Sequence, residues 1–507
     1  METFLRKHRD QITGVLSCPD RVIFKGYLGL NDPMSVEAFL GRHGVMLKDF
    51  KKFAKAQSNV IQKHAVAVAH QAGRPYEYLR SYKDKDAYVK KILARDSVTE
   101  GLVCVLSTLE ASPSYKLKYG TERPRLGHDR PRCLCIYFYL IDKTLGLMHV
   151  RLQTWLPYTV QVYVNGHEWL ARKFDAHSIG YTRRDNAFTS VEDPKRAQRF
   201  ADKWAAVNWP HQLTRRVRGF NPLFRTLLAG MAYYWVTDQF EYATDIMFKD
   251  ASVLRRLYLK LLQHAILMFS AEDVLSFLGK KLHGLFEGEV LTDYKKRQPG
   301  ARIKHRVKAN WIKMYDKFGS VLRIETVIND PYAFKVRRMG KRKGERVMAW
   351  LPLPKGVAYL YRYVEIAHAT NARYLEALAV VEDPGATQDE MAALARPVCP
   401  RTGKSHRGFN PFAPDDILLF TVLMRGEFHL MGFRNKDVRL RLFSAARTYH
   451  DDRRNSARIT RQLQILHAHH FIAKIPRSRR WKVTELGQRM MATAINAFNQ
   501  QSLKNAI

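Results

Sequence analysis

The sequence of 507 residues predicts an α+β protein. It reads as a helical N-terminal region, a mixed β-sheet core with inserted helices, and a C-terminal module of helices closed by a short hairpin. Two patterns carry that reading. Apolar residues recur at helical spacing over long stretches such as 47–71 and 254–269. Short runs rich in β-branched and aromatic residues crowd 101–165 and 301–350. Hydrophobic residues make up 46% of the chain, enough to fill real cores, so this is not a disordered basic protein.

Residues 1–100 read as helical. Ser35 is the expected cap of one helix, and 47–71 forms another that stops at Gly73-Arg-Pro. Residues 101–195 read as a mixed sheet with a helix laid on it. Its strands fall at 102–106, 133–141, 147–154 and 159–164, with a hairpin turn at 142–146. Asn165-Gly166 ends the last strand and starts a helix over 167–176. Residues 196–300 read as helical, through 223–236 and 254–269. Residues 301–382 form a basic β-hairpin region followed by a helix from 355. Residues 383–410 are rich in breakers and read as a linker. The pentapeptide Arg-Gly-Phe-Asn-Pro occurs at 218–222 and 407–411. Each copy reads as a turn with Asn before Pro that starts a helix.

Charge narrows the function. Lys and Arg number 85 against 47 Asp and Glu, a formal net charge of +38. Self-repulsion of that size is normally kept for a polyanion, and nucleic acid is the obvious one, because neutralised phosphates release condensed counterions. Residues 301–346 alone carry a balance of about +10. The five cysteines form no CxxC pair, so neither a zinc ribbon nor a disulfide frame is expected. The start, Met-Glu-Thr-Phe-Leu-Arg-Lys, is not a signal peptide, and no apolar run is long enough to span a bilayer. A cytoplasmic protein without a membrane partner is expected. Walker, dinucleotide, zincin and nucleophile-elbow motifs are not found.

Residues 411–507 form the clearest module. Helices at 415–424, 436–443 and 456–469 precede a strand at 471–476, a basic tip and a returning strand at 481–483. Thr484 then caps a last helix. This order resembles a winged helix-turn-helix domain. The resemblance implies that the third helix enters the major groove while the wing touches backbone or minor groove. It places Arg458, Arg461, Gln462 and Gln464 on or near a reading helix, and Arg477, Arg479 and Arg480 in the wing. His467-Ala-His469 lies at a helix end and reads as packing or phosphate contact rather than a metal site.

A hairpin over 311–325 divides its side chains by alternation. Ile312, Met314, Leu322 and Ile324 point one way; Lys313, Tyr315, Arg323 and Glu325 point the other. A glutamate beside cations and a phenol suits a metal ligand or general base, and the cations suit phosphate. The pattern resembles a hairpin of rolling-circle replication initiators, which nick DNA with a metal ion and a tyrosine. That resemblance implies Glu325 as a metal-site residue, with Lys313, Tyr315 and Lys317 lining the site. No strand-borne His–apolar–His motif is evident and no nucleophile aligns. Tyr374 is a candidate nucleophile, with Tyr359, Tyr361 and Tyr363 as rivals. The bland alternative is a salt-bridged face that binds phosphate without cutting.

A second carboxylate set is Asp142 at a strand end, Glu168 in the first turn of a helix, and Asp185 beyond it. Their order resembles RNase H-like nucleases and transposases, which implies Asp142 and Asp185 as ligands of Mg²⁺ or Mn²⁺. Turn and cap roles are the alternative. Glu241 and Asp245, spaced i,i+4 on an expected helix, could face Arg or a metal and read as a solvated or ion-paired face. The expected function is metal-dependent DNA cleavage or strand transfer of mobile-element or replicon type. The alternative is a non-catalytic DNA- or RNA-binding protein: a regulator, or the protein of an RNA–protein particle that guide RNA could direct.

Overall fold

Strands rich in β-branched and aromatic residues, with one side chain in two turned to the core, build most of this mixed α+β fold. The computed structural model describes residues 1–119, 123–280, 289–296, 301–342, 345–381, 392, 394–399, 403, 405–425, 428, 432–443 and 448–504. The strands, in chain order, are β1 (Ile12–Tyr27), β2 (Tyr76–Tyr78), β3 (Gly101–Ala111), β4 (Ser114–Lys118), β5 (Arg125–Asp129), β6 (Arg132–Asp142), β7 (Gly146–Gln153), β8 (Val160–Asn165), β9 (Tyr181–Arg184), β10 (Ala187–Val191), β11 (Tyr234–Phe248), β12 (Val290–Lys296), β13 (Ala301–Val307), β14 (Asn310–Lys317), β15 (Val321–Ile328), β16 (Lys335–Arg342), β17 (Glu345–Pro352), β18 (Ile472–Lys474) and β19 (Trp481–Val483).

Two compact units share the chain, and neither follows the expected segment order. The larger takes Thr13–Met247 and Glu325–His368; the other takes Met1–Ile12, Phe248–Ile324 and Ala369–Ile507. In the larger unit, residues 325–328 of β15 begin a sheet that continues β11-β1-β8-β7-β6-β3-β2. β1 runs antiparallel to β8, with Arg21 opposite Asn165 and Ile23 opposite Tyr163. β6, β7 and β8 form an antiparallel meander. The turn expected at 142–146 is present, with Asp142 opposite Gly146.

Two helical expectations are corrected. β1 crosses the stretch read as helical, where Val15, Val22, Ile23, Phe24 and Tyr27 favour a strand. β11 replaces the helix expected at 223–236 and its continuation, because Trp235, Val236, Thr237, Phe240, Tyr242 and Ile246 suit a pleated surface. Asp32, not Ser35, caps the helix Pro33–Arg42: its side chain accepts from the Ser35 N–H at 2.9 Å. Both pentapeptide asparagines form turns as read: Asn221 accepts from Leu223 N–H and Asn410 from Phe412 N–H. The linker expected at 383–410 lies partly outside the described residues.

In the other unit, β12-β13-β14 and residues 321–324 of β15 form an antiparallel sheet edge. The C-terminal segment has the expected order of elements. Helices Pro414–Leu423, Asn435–Leu442 and Tyr449–Ala468 are followed by the β18–β19 hairpin and the helix Glu485–Lys504. Phe420, Val438, Ile459, Leu463, Leu466, Ile472, Val483 and Met491 form one core there. Thr484 caps the last helix, accepting from Gly487 N–H at 3.0 Å. No described helix is long and apolar enough to cross a membrane.

Candidate metal centre

Three neighbouring strands of the larger unit bring carboxylates together. Asp20 on β1, Glu241 on β11 and Glu325 on β15 are buried, at 3%, 8% and 1% exposure. One oxygen from each lies within 4.8 Å of the others, and among the described residues this is the acidic or His/Cys group able to hold a metal ion. Carboxylates gathered this closely repel one another unless cations answer them, and Arg21 on β1 is one such cation: burial lowers its pKa, but Tyr163, Glu241 and Asp20 hold it above its ordinary value. Oxygen donors alone suit a hard divalent cation such as Mg²⁺ or Mn²⁺.

The helix Gly166–Ala176 organises one side of the group. Asn165 ends β8 and caps this helix, accepting from the N–H groups of His167 and Glu168 at 2.8 and 3.2 Å. That cap aims the His167 ring, itself 1% exposed, into the sheet. Its Nδ1 lies 3.1 Å from Asp20 Oδ1 and its Nε2 lies 3.2 Å from Asp245 Oδ2. A doubly protonated ring donates to both carboxylates; a neutral ring donates to one. Asn186 Nδ2 donates to both oxygens of Asp20 at 3.1 and 3.2 Å. Asp20 is thus oriented by two side chains behind it, the arrangement that fixes metal-binding carboxylates. Gly166 permits the approach. A Cβ there would lie 1.9 Å from the Pro19 carbonyl oxygen, so any other residue would push the helix start off β1.

Of the residues singled out in the sequence, Glu325 and Glu241 join this group and the second carboxylate set does not. Asp142 is held instead by Arg216, whose Nε and Nη2 donate at 2.7 and 2.8 Å, and by Thr144 Oγ1 at 2.7 Å. Burial pushes its pKa up, but the bonds from Arg216 and Thr144 win and leave it well below the usual carboxylate range. Glu168 pairs with Arg183. Asp185 sits at a left-handed turn position, φ 51°, exposed and 3.3 Å from Lys90. Among the described residues, Asp142, Glu168 and Asp185 stand outside the group close enough to hold a metal ion together, and each makes turn or ion-pair contacts instead. Glu241 and Asp245 lie on a strand rather than on the expected helix, and Asp20 carries no site signal in the sequence because its strand reads as helical.

Tyr374 is fully buried in the other unit, with His305 Nε2 3.0 Å from its hydroxyl. Burial raises its pKa well above the ordinary phenol value. A phenol with no access to solvent cannot reach a phosphodiester, so the nucleophile reading is corrected. Arg323 is also fully buried and presents nothing to a polymer, against expectation. Lys313, Tyr315 and Lys317 are half-buried on β14. They share a face with Arg302, Lys304 and Arg306 of β13, as the register Arg302–Tyr315, Lys304–Lys313 shows. Lys304 Nζ stands 3.7 Å from the Trp311 ring centre, and its pKa is lowered by burial and by the neighbouring Arg302 and Lys313. Asp293 on β12, opposite Lys304, partly offsets this crowding of cations.

In the C-terminal segment, Arg461 and Gln464 are exposed on the third helix, while Gln462 turns inward with its buried Oε1. Arg458 is exposed and reaches Asp415 at 3.1 Å. Arg477 and Arg479 are exposed at the hairpin tip; Arg480 is half-buried and donates to Gly432 O at 2.9 Å. His467 and His469 bind the carbonyls of Ile472 and Arg407, which accords with local packing. In comparison with known proteins, no family model, curated protein or solved structure matches the chain.

Proposed function

We propose that the chain binds nucleic acid and cleaves or transfers its strands with a divalent metal ion, Mg²⁺ or Mn²⁺, held by Asp20, Glu241 and Glu325. The observation that carries the reading is the convergence of these three buried carboxylates in a chain of net charge +38. A bound ion of this kind would activate water and neutralise charge on a phosphodiester. The protein's own part is orientation: His167 and Asn186 fix Asp20, and the strand pairing of β1, β11 and β15 fixes the spacing. The winged-helix reading of the C-terminal segment gives the polymer a second grip, through Arg461, Gln464, Arg477 and Arg479. DNA is the favoured polymer.

A second reading rests on the depth of burial. Metal sites closed by protein are structural, whereas catalytic ones keep an open position. A closed site would make the chain a non-catalytic DNA- or RNA-binding protein. Labelled single- and double-stranded DNA incubated with Mg²⁺ or Mn²⁺ separates the two. Cleavage by the wild type should fall at least 100-fold in Asp20→Asn, Glu241→Gln and Glu325→Gln, and stop in EDTA. Cleavage that survives all three substitutions rejects the site; metal binding without cleavage selects the second reading.

A further inference from the structure

The strand that delivers Glu325 also leads into a feature unrelated to metal binding. After β15, Asp330 caps the short turn Pro331–Ala333 by accepting from Tyr332 N–H at 3.1 Å. The chain then leaves as the two-stranded ribbon β16–β17. It returns at Lys355, whose carbonyl accepts from Thr237 N–H at 2.8 Å, and at Gly356, bridged to Val236 on β11. The ribbon is therefore rooted at both ends in the unit that holds the three carboxylates.

Its two faces differ. The register pairs Lys335 with Pro352, Arg337 with Trp350, Met339 with Met348 and Lys341 with Arg346, so these positions share one face. Val336, Arg338 and Gly340 pair with Leu351, Ala349 and Val347 on the other. This back face packs on itself: a Cβ on Gly340 would lie 2.1 Å from Leu351 Cδ1. The front face is bare. Trp350 is 69% exposed, Met348 52% and Met339 51%, and Lys335, Arg337 and Arg346 are exposed beside them. Large apolar side chains are seldom left together in water without a use. A lone two-stranded ribbon is also marginal until something packs on it.

Charge identifies the occupant. The ionisable side chains described on the front face are Lys335, Arg337 and Arg346, all cationic. An indole flanked by arginines matches an unstacked base and its phosphates, since every base offers a π-face and every linkage a negative charge.

We propose that the β16–β17 ribbon is a nucleic-acid contact element in which Trp350 stacks on an unpaired or unstacked base, with Arg337 and Arg346 on the flanking phosphates. This deepens the reading above by naming single-stranded or locally opened nucleic acid as what the larger unit takes. Its test is independent of cleavage, because binding is measured in EDTA. Anisotropy of a labelled 20-nucleotide single strand is titrated with wild type, Trp350→Ala, Trp350→Phe and Arg337→Ala/Arg346→Ala, alongside a duplex of the same sequence. Trp350→Ala should weaken single-strand binding about 5- to 100-fold with an unchanged salt slope, and Trp350→Phe should restore most of it. The double arginine variant should reduce the salt slope by about 1.4. Unchanged melting curves confirm that these exposed substitutions leave the fold intact. Wild-type affinity in Trp350→Ala overturns the proposal. So does a result in which Trp350→Ala alters only self-association, or only partition onto anionic phospholipid vesicles. A ribbon that binds as described in a protein that never cuts leaves this inference standing and removes only the nuclease reading.

Discussion

Two carboxylate sites in the larger unit meet their charge in opposite ways. Asp142 is answered one to one: Arg216 grips both its oxygens and Thr144 adds a third bond, so the site is electrically complete. Around Asp20, three carboxylates converge within 4.8 Å, and a fourth, Asp245, lies across His167. A paired aspartate is a structural joint. Carboxylates that converge from three strands offer several oxygens to one added cation. Carboxylate order along a chain does not separate the two cases; the neighbours of each carboxylate do.

The contrast breaks most sharply on divalent-ion response. Mn²⁺ should raise the melting temperature of the wild type, because an ion that binds only the native state stabilises it by mass action. Glu241→Gln should lose that rise. Asp142→Asn should keep it, while costing about 1–3 kcal/mol of stability in EDTA, since Arg216 loses its ionic partner at a partly buried position. Melting curves with Mn²⁺ and with EDTA check all three. An Asp142→Asn protein that no longer responds to Mn²⁺ would exchange the roles assigned here.

The same contrast explains what the sequence made visible. Glu325 was legible because alternation along the hairpin is local: Ile324 goes inward on one face and its neighbour goes to the other. The helices 50–71, 251–267 and 360–378 were legible for a similar reason, each written within its own turns. Asp20 was hidden because Pro19, Arg21 and Lys25 interrupt the apolar pattern of β1, although Val22, Phe24 and Gly26 still alternate as buried positions. Glu241 and Asp245 were seen but placed on a helix. Spacing of i,i+4 puts two residues on one face of a helix and equally on one face of a strand, so only the aromatic and β-branched neighbours decide. The site itself joins positions some 220 and 80 residues apart, and no local pattern encodes that pairing.

Asp142 and His305 extend the comparison to acid. Asp142 keeps its charge on folding. Its lowered pKa gives a contribution that is fully present above about pH 4 and is lost as pH falls below that. His305 keeps its neutrality. It is 1% exposed, its ring nitrogens are 3.0 Å from Thr292 Oγ1 and Tyr374 Oη, and burial pushes its pKa down to about 4. The unfolded imidazole takes a proton near pH 6.5 while the folded one resists, so stability falls between pH 6.5 and about 4. The slope from this one group is at most about 1.4 kcal/mol per pH unit. His305→Gln should make the fall in that window shallower, with His149 and His264, whose pKa values burial also lowers, supplying the rest, and should leave the lower window; Asp142→Asn should do the reverse. Urea midpoints from pH 7 to pH 3 measure both. Identical profiles for the two variants would show that acid acts elsewhere.

The smallest expected effect separates an arginine bonded to the protein's own backbone from arginines exposed at the hairpin tip. Arg480 is already committed, with Nη1 on the Gly432 carbonyl at 2.9 Å. Arg477 and Arg479 stand exposed two positions apart at the tip of the β18–β19 hairpin. Removing Arg477 or Arg479 should therefore cost little stability, weaken duplex DNA binding a few-fold, and reduce the salt slope by about 0.9 for each phosphate that is no longer neutralised. Removing Arg480 should cost about 1 kcal/mol of stability through the unanswered carbonyl and leave the slope nearly unchanged. Affinities at several salt concentrations, set beside melting temperatures, distinguish the two kinds. If all three substitutions moved the slope equally, the bond to Gly432 would be a resting one that Arg480 surrenders on binding, and the hairpin would grip with three cations rather than two.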